Sequence, residues 1–335
     1  MIRVEPFDVL SADDATVAAY ARVALAGAME WAPRGHPPPV EHLLLELRVM
    51  PANEVKHVFL AYDGDEVVGA ADVMWWDAPD NRDRGWLHFD LASFDPSVVA
   101  ALGARAAAVA ASVGRPLLTV ETPADSALSG WLKERGATFG SLEETNVVRL
   151  ATLSRDDVAR LAAARPEGYE LVTFDGPAPD DLVDAYVDLN NCMNDAPRDA
   201  LTMEDWSFTA DRLRVWEAGV RARGHDVWTV VARQTETGEL GGYNQLILRP
   251  EWPDVVENED TGVTRAHRGH GLGLWLKSVN LLRVLDERPE AACVQTWNAA
   301  SNEHMLRVNH RLGFACEHRW EMWEIGCDRL EAQAP

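Results

Sequence analysis

Apolar and polar positions alternate along two stretches far apart in the chain. HVFLAYDGDEVVGAADVMWW (57–76) places β-branched and aromatic residues on either side of the turn Asp63-Gly64-Asp65, and DVWTVVARQTETGELGGYNQLIL (226–248) does the same around Glu236-Thr237-Gly238. Each pattern predicts a pair of antiparallel strands joined by a polar turn. A glycine interrupts the second strand of both, Gly69 in one and Gly241 in the other. Each pair is followed by a helical stretch (96–113 and 272–287), a short β-rich run (LLTVE, 117–121, and CVQTW, 293–297), and a helix that stops at glycine (126–139 and 301–314). An offset of 172 to 177 residues carries Gly69 onto Gly241 and Gly136 onto Gly313. Such self-similarity over a whole series of elements indicates a duplicated domain.

The seam is expected at SRDDVARLAAARPEG (154–168), a polar helical stretch that closes on Pro166 and Gly168 before a fresh strand at 169–174. The expected domains are therefore 1–153 and 169–335, with 154–168 as a linker. Each opens on a strand and then mixes helices with strands, which predicts an α/β fold with a mixed sheet. Composition supports two folded domains. With 335 residues the chain exceeds the size at which single cores tend to split, and 47% hydrophobic against 25% charged residues supplies ordinary cores.

The formal net charge of -23 opposes binding to a phosphate backbone or an anionic membrane surface, and favours a cationic ligand if it favours any. Nucleic acid and membrane are accordingly not expected as partners. Cys192, Cys293, Cys316 and Cys327 form no C-x-x-C pair and have no histidine at finger spacing, so reduced, mostly buried thiols and no metal site are expected. MIRVEPFDVLSADD does not read as a secretory signal, and the most apolar window, 98–114, is alanine-rich and interrupted by Arg105. A cytoplasmic location is expected.

One stretch has no counterpart in the other half: VTRAHRGHGLGLWLKSVNLL, 263–282. Its glycines fail the dinucleotide pattern G-x-G-x-x-G, because Leu274 and Leu276 stand where the third glycine is needed. They fail the P-loop as well, because Leu276 and not glycine precedes Lys277-Ser278. Arg-x-x-Gly-x-Gly, from Arg268 to Gly273, does fit. It leads into Leu272, Leu276, Val279 and Leu282 at helical spacing, with Lys277, Arg283 and Glu287 as the polar face. A glycine loop that opens a helix offers free N–H groups and a positive dipole end to an anion.

A strand at 254–264, R-x-x-G-x-G, an amphipathic helix, a strand ending in Trp297-Asn298 and a helix stopped at Leu312-Gly313-Phe314: this order resembles the GNAT superfamily, the Gcn5-related N-acetyltransferases. The resemblance covers 169–326 in full. It implies a mostly antiparallel mixed sheet whose central parallel strands splay, flanked by helices, with acetyl-CoA as cosubstrate in the splay. By position, Val263, Thr264 and Arg265 would offer groups to the thioester and pantetheine. Arg268, Gly269, His270, Gly271, Leu272 and Gly273 would hold the pyrophosphate, with Asn298, Asn302 and Asn309 on the other side.

Acetyl transfer to an amine needs a base to take the ammonium proton and a donor to hold the developing oxyanion. The backbone N–H of Val263 suits the second need. For the first, the resemblance to histone-acetyltransferase-like members points to Glu257, eleven residues before Arg268, with Asp260 as the second choice. Strict alternation would place Glu257, Glu259 and Thr261 on one face and Asn258, Asp260 and Thr264 on the other. A tyrosine that many members use as an acid is replaced by Asn309, which has no proton to give, and His304 and His310 are the nearby alternatives.

In the first half the loop position reads ASFDPSVVA (92–100), without arginine or glycine and with Asp95 added, and Glu121 replaces Asn298. The first domain is therefore expected to keep the fold without the cofactor site. Tandem chains of this superfamily include mycothiol synthase, and the layout here is similar. The expected function is N-acetyl transfer from acetyl-CoA to a primary amine of a small molecule. The alternatives are a non-catalytic acyl-CoA sensor and a thiol-cofactor biosynthetic enzyme of the mycothiol synthase type. A fused pair imitates a dimer, so a monomer or weak homodimer is expected.

Overall fold

A computed structural model of the chain describes residues 2–331. In chain order the strands and helices are β1 (Arg3–Phe7), α1 (Asp14–Ala28), α2 (Val40–Arg48), β2 (Glu54–Asp63), β3 (Glu66–Trp76), β4 (Arg84–Leu91), α3 (Pro96–Ser112), β5 (Leu117–Pro123), α4 (Ala127–Glu134) and β6 (Thr138–Arg149). There follow α5 (Arg155–Ala163), β7 (Tyr169–Asp175), α6 (Val183–Asn190), α7 (Ala210–Ala222), β8 (Asp226–Gln234), β9 (Leu240–Leu248), β10 (Val255–Val263), α8 (Leu272–Glu287), β11 (Cys293–Ala299), α9 (Glu303–Arg311), β12 (Ala315–Gly326) and α10 (Cys327–Glu331). Among the described residues no helix is long and apolar enough to cross a membrane.

Two compact units result, and they are not the contiguous halves that the repeat suggests. The first contains residues up to Glu143, Arg198–Glu204 and the chain from His318 onward; the second contains Glu144–Pro197 and Asp205–Glu317. The cause lies in the last strand of each repeat. β12 pairs antiparallel with β5 over Trp320–Gly326 and so completes the first unit, while the end of β6 joins the second unit beside β11. The stretch 154–168 is also more than a linker. Ser154 caps α5, and Val158 and Leu161 enter the core of the second unit with Leu281 and Val284 of α8.

The first unit orders its strands β1-β2-β3-β4-β5-β12, antiparallel except where β4 runs parallel to β5. Its main core places Val98, Val99, Leu102 and Ala106 of α3 against Phe59, Val73, Leu87 and Val120. The second unit orders β11-β10-β9-β8-β7, and β10/β11 is the parallel pair. β9 is buried along almost its whole length, as expected for a strand covered on both faces. Both hairpins carry a bulge at the interrupting glycine. The structural match of Gly69 is Gly242, since Gly69 faces Leu91 and Gly242 faces Val263.

Lys277 departs from the helical-wheel reading. It is buried, with its ammonium 5.1 Å from the ring of Phe314, in a small cavity lined by Leu246, Asn258, Leu281 and Val294. Burial lowers its pKa to about 7. The unfolded lysine titrates near 10.4, so the penalty is full below about pH 7 and is relieved as pH rises toward 10. Lys277→Met should raise Tm at pH 7 by about 5 °C, corresponding to a few kcal/mol. It should also flatten the rise in stability between pH 7 and 10, read by thermal melts across that range.

Candidate active site

The parallel pairing of β10 and β11 covers Val255–Glu257 against Cys293–Gln295 and then stops, although β10 continues to Val263 and β11 to Ala299. The strands therefore part beyond Glu257. On the other side of β10, the Thr264 N–H donates to the Gly241 carbonyl at 3.0 Å. Successive peptide groups of a strand point to opposite sides, so the N–H and C=O of Val263 face away from β9 and toward the splay. Arg268 Nε donates to that C=O at 3.1 Å. The Val263 N–H is the group left to a ligand.

The loop after β10 is shaped for an anion. Gly269 and Gly271 have φ of 84° and 78°, a left-handed conformation that favours glycine, and open space lies where a side chain would stand on either. Gly271 is the N-cap of α8 and supplies no side chain, whereas Asp13, Asp95, Ser126, Ser154, Thr209 and Asn302 cap α1, α3, α4, α5, α7 and α9. The free N–H groups and positive dipole end of α8 thus open onto the glycines. These residues fit a diphosphate.

The remaining loop residues divide between scaffold and surface. Thr264 is turned to β9, and its Oγ1 also lies 3.4 Å from the Gly241 carbonyl, so it does not serve the cofactor from the splay side as expected. Leu272 buries its side chain with Tyr169, Trp275 and Leu276, which leaves only its backbone to the loop. His270 folds back, its Nδ1 3.2 Å from the His267 carbonyl and its ring against Tyr169. Tyr169 in turn bonds His267 at 2.8 Å, and His267 occupies the space that a Cβ on Gly241 would need. Gly273 lies in the first turn of α8 beneath Val263. Arg265 and Arg268 are exposed and both grip Asp195, at the end of a short 3-10 helix Asn191–Asp195.

Of the three asparagines, only Asn298 remains a simple candidate. Asn302 spends its Oδ1 on the Met305 N–H as the cap of α9. Asn309 is fully buried and donates to Asn298 Oδ1 at 2.6 Å, so it does not line the cofactor as expected but holds Asn298 in place. His304 and His310 are exposed.

Strict alternation fails on β10. Asn258 faces Leu246 and Thr261 faces Asn244, so one extra residue is accommodated as a bulge between them. An amide cluster holds it. Asn244 Nδ2 lies 2.8 Å from Asn258 Oδ1, 3.0 Å from the Asp260 carbonyl and 2.9 Å from Thr261 Oγ1, while Asn280 of α8 donates to Asn244 Oδ1 at 2.8 Å. The bulge turns Asp260 onto the face that carries Glu257. Glu257 lies opposite Ile247, Tyr243 is on the same face four residues earlier in β9, and the Tyr243 hydroxyl donates to Asp260 Oδ2 at 3.0 Å. The two carboxylates are thus not on opposite faces as alternation required.

Their environments differ. Glu257 pairs with Arg249 at 2.5 Å and is largely buried, which commits its charge to a structural partner. Asp260 is half-buried beside Tyr243. Burial pushes its carboxyl pKa up, the Tyr243 hydroxyl partly offsets this, and the charge of Glu257 adds to the rise. Tyr243 itself is fully buried and stays protonated, its pKa driven well up by burial and by Asp260. Cys192 is half-buried, whereas Cys293 and Cys327 are buried and Cys316 is exposed. Cys192 and Met193 pack with Tyr243 over Gly262, where a Cβ would meet the Cys192 sulfur. Sequence reasoning did not single out Tyr243, Cys192 or Asp195; the pair Gly241-Gly242 just before Tyr243 was the nearest signal.

The first unit keeps the splay but not the cradle. β4 pairs with β5 over Arg84–Leu87 and then parts from it, continuing to Leu91 against β3 alone. Only residues 92–95 then intervene before α3, against 264–271 before α8, so the loop is shortened as well as changed in composition. Asp95 caps α3 by accepting from the Ser97 N–H at 2.7 Å, which puts a carboxylate where an anion would dock.

No protein-family model and no curated protein sequence matches the chain. Solved structures do. A tandem GNAT protein from the clavulanic acid biosynthesis pathway is 26% identical, over 98% of this chain and 99% of that one, with a TM-score of 0.77. A GCN5-related N-acetyltransferase from Sphaerobacter thermophilus is 15% identical over 97% and 96% of the two chains, with a TM-score of 0.68, and at that identity shows the fold alone. So does the glucosamine N-acetyltransferase region of a fungal multi-domain β-N-acetylglucosaminidase, 13% identical over 97% of this chain and 38% of that one, at 0.66. The first of these likenesses supports acyl transfer as the general activity. On the splayed strands, the glycine cradle and the full-length match to a tandem protein, the chain belongs to the GNAT superfamily in its two-domain form.

Proposed function

We propose that the second unit transfers the acetyl group of acetyl-CoA to a primary amine of a small molecule. The observation that carries this reading is the Val263 peptide, open to the splay between the glycine cradle on one side and Asp260 on the other. Acetyl-CoA supplies an electrophilic thioester. Gly269 to Gly273 and the first N–H groups of α8 hold its diphosphate, and the Val263 N–H holds the thioester oxygen as charge develops there.

Asp260 takes the proton of the incoming ammonium, directly or through water, and the freed amine attacks the carbonyl carbon. A C–N bond forms and the C–S bond breaks; the nitrogen sheds its second proton to water, and the departing thiolate takes a proton from that water, since the Asn309 amide is no acid. The chain's net charge of -23 favours a cationic acceptor in the encounter.

The burial of Asn309 supports one rival, a sensor that binds acyl-CoA without turning it over. Release of free CoA thiol from acetyl-CoA in the presence of a panel of small amines separates the two. Turnover with any one amine is expected. Tight binding of acetyl-CoA with no turnover across the panel would establish the sensor instead.

A further inference from the structure

The short helix Asn191–Asp195 touches both ends of the candidate site. At its end, Asp195 is held by both arginines of the loop. Arg265 approaches side-on through Nε, at 2.9 Å, and Nη2, while Arg268 Nη2 lies 2.8 Å away. Both guanidiniums are exposed, whereas Asp195 is only 19% exposed beneath them. At its other end, Cys192 and Met193 rest on Gly262, next to Val263 and against the Tyr243 ring that bonds Asp260. A single segment thus joins the arginines beside the cradle to the floor on which an acceptor would lie.

A carboxylate between two arginines at an anion cradle is chemically a stand-in for a phosphate. Both groups accept paired N–H bonds from guanidinium, and a diphosphate brings more charge and more oxygens. On the cofactor reading given above, we propose that Asp195 is a positioning residue that acts as a latch. The diphosphate of acetyl-CoA displaces it from Arg268 and Arg265, and the released segment lets Cys192 and Met193 move off Gly262 to admit the amine. Cofactor binding then precedes and enables acceptor binding. Without cofactor, the arginines are neutralised and the acceptor floor is held shut by the same ion pairs.

The test uses the full chain with acetyl-CoA or S-acetylpantetheine and no amine. Asp195→Asn keeps the shape but removes the charge. Its Kd for acetyl-CoA by calorimetry should be about tenfold tighter than wild type, while S-acetylpantetheine, which lacks the diphosphate, should bind both proteins equally. Hydrogen exchange of the amides of residues 191–195 should speed up in wild type when acetyl-CoA is added and should already be fast in the variant. The exchange readout is one that a purely structural surface ion pair would not couple to cofactor. Equal or weaker acetyl-CoA binding by the variant, or unchanged or slower exchange in wild type on adding cofactor, would overturn the latch. If wild type binds no acetyl-CoA at all, the cofactor reading itself falls and the latch with it.

Discussion

Asp260→Asn is expected to lower kcat by about 10²–10⁴-fold, the usual worth of a positioned general base. The variant should remain folded, because an asparagine oxygen can still accept the Tyr243 hydroxyl that now bonds Asp260 at 3.0 Å. Glu257→Gln should cost less than about tenfold in kcat, since Glu257 is already committed to Arg249. The pH profile gives an independent check. A base works deprotonated, so activity rises with pH through its pKa, and burial lifts that of Asp260 above the ordinary carboxylate range. The acidic limb of kcat/KM should therefore lie above the ordinary carboxylate range in wild type and vanish in Asp260→Asn. Tyr243→Phe removes the hydrogen bond that lowers this pKa, so the limb should move to higher pH still. A full rate with an unchanged limb in Asp260→Asn, together with a large loss in Glu257→Gln, would return the role to Glu257.

The contrast between these two carboxylates is also where sequence reading reached its end. The strands, the duplicated order and the spacing of Arg268, Gly269, Gly271 and Gly273 are local features, and local patterns of period 2 or 3.6 and unusual φ requirements are written into neighbouring residues. The bulge in β10 is not local. It depends on Asn244 from β9 and Asn280 from α8, which meet only after the sheet and helix have packed. One inserted residue then reverses the facing of everything beyond it, and Asp260 joins Glu257.

The same limit applies to Lys277, which a helical wheel assigns to solvent but which Phe314, from after α9, covers. It applies again to β6 and β12, whose sequences follow the repeat while their pairing partners do not. Asp195 was invisible for a different reason. An acidic residue in a polar segment has no signature until the two arginines from a loop seventy residues later are brought to it.

The largest effect on the cofactor itself is expected at Gly271. Its φ of 78° is strained for a β-branched side chain but accessible to asparagine, and nothing lies within 4 Å of where a Cβ would stand. Gly271→Asn should therefore fold with a stability change below about 1 kcal/mol. The new side chain nevertheless occupies the open space over the α8 N–H groups, through which a diphosphate must approach. The expected rise in Kd for acetyl-CoA is about 100-fold, or roughly 2.7 kcal/mol, equivalent to losing one or two charge-assisted hydrogen bonds. Gly238, with the same φ of 78° and equally open surroundings, lies in the β8–β9 turn and outside the stretch 268–273, so Gly238→Asn imposes the same backbone demand without adding a side chain to the cradle. Calorimetric titration of the two variants, with thermal melts to confirm folding, isolates the cradle from the strain. If Gly271→Asn and Gly238→Asn bind acetyl-CoA as tightly as wild type, the glycines serve only the turn, and the diphosphate is held elsewhere.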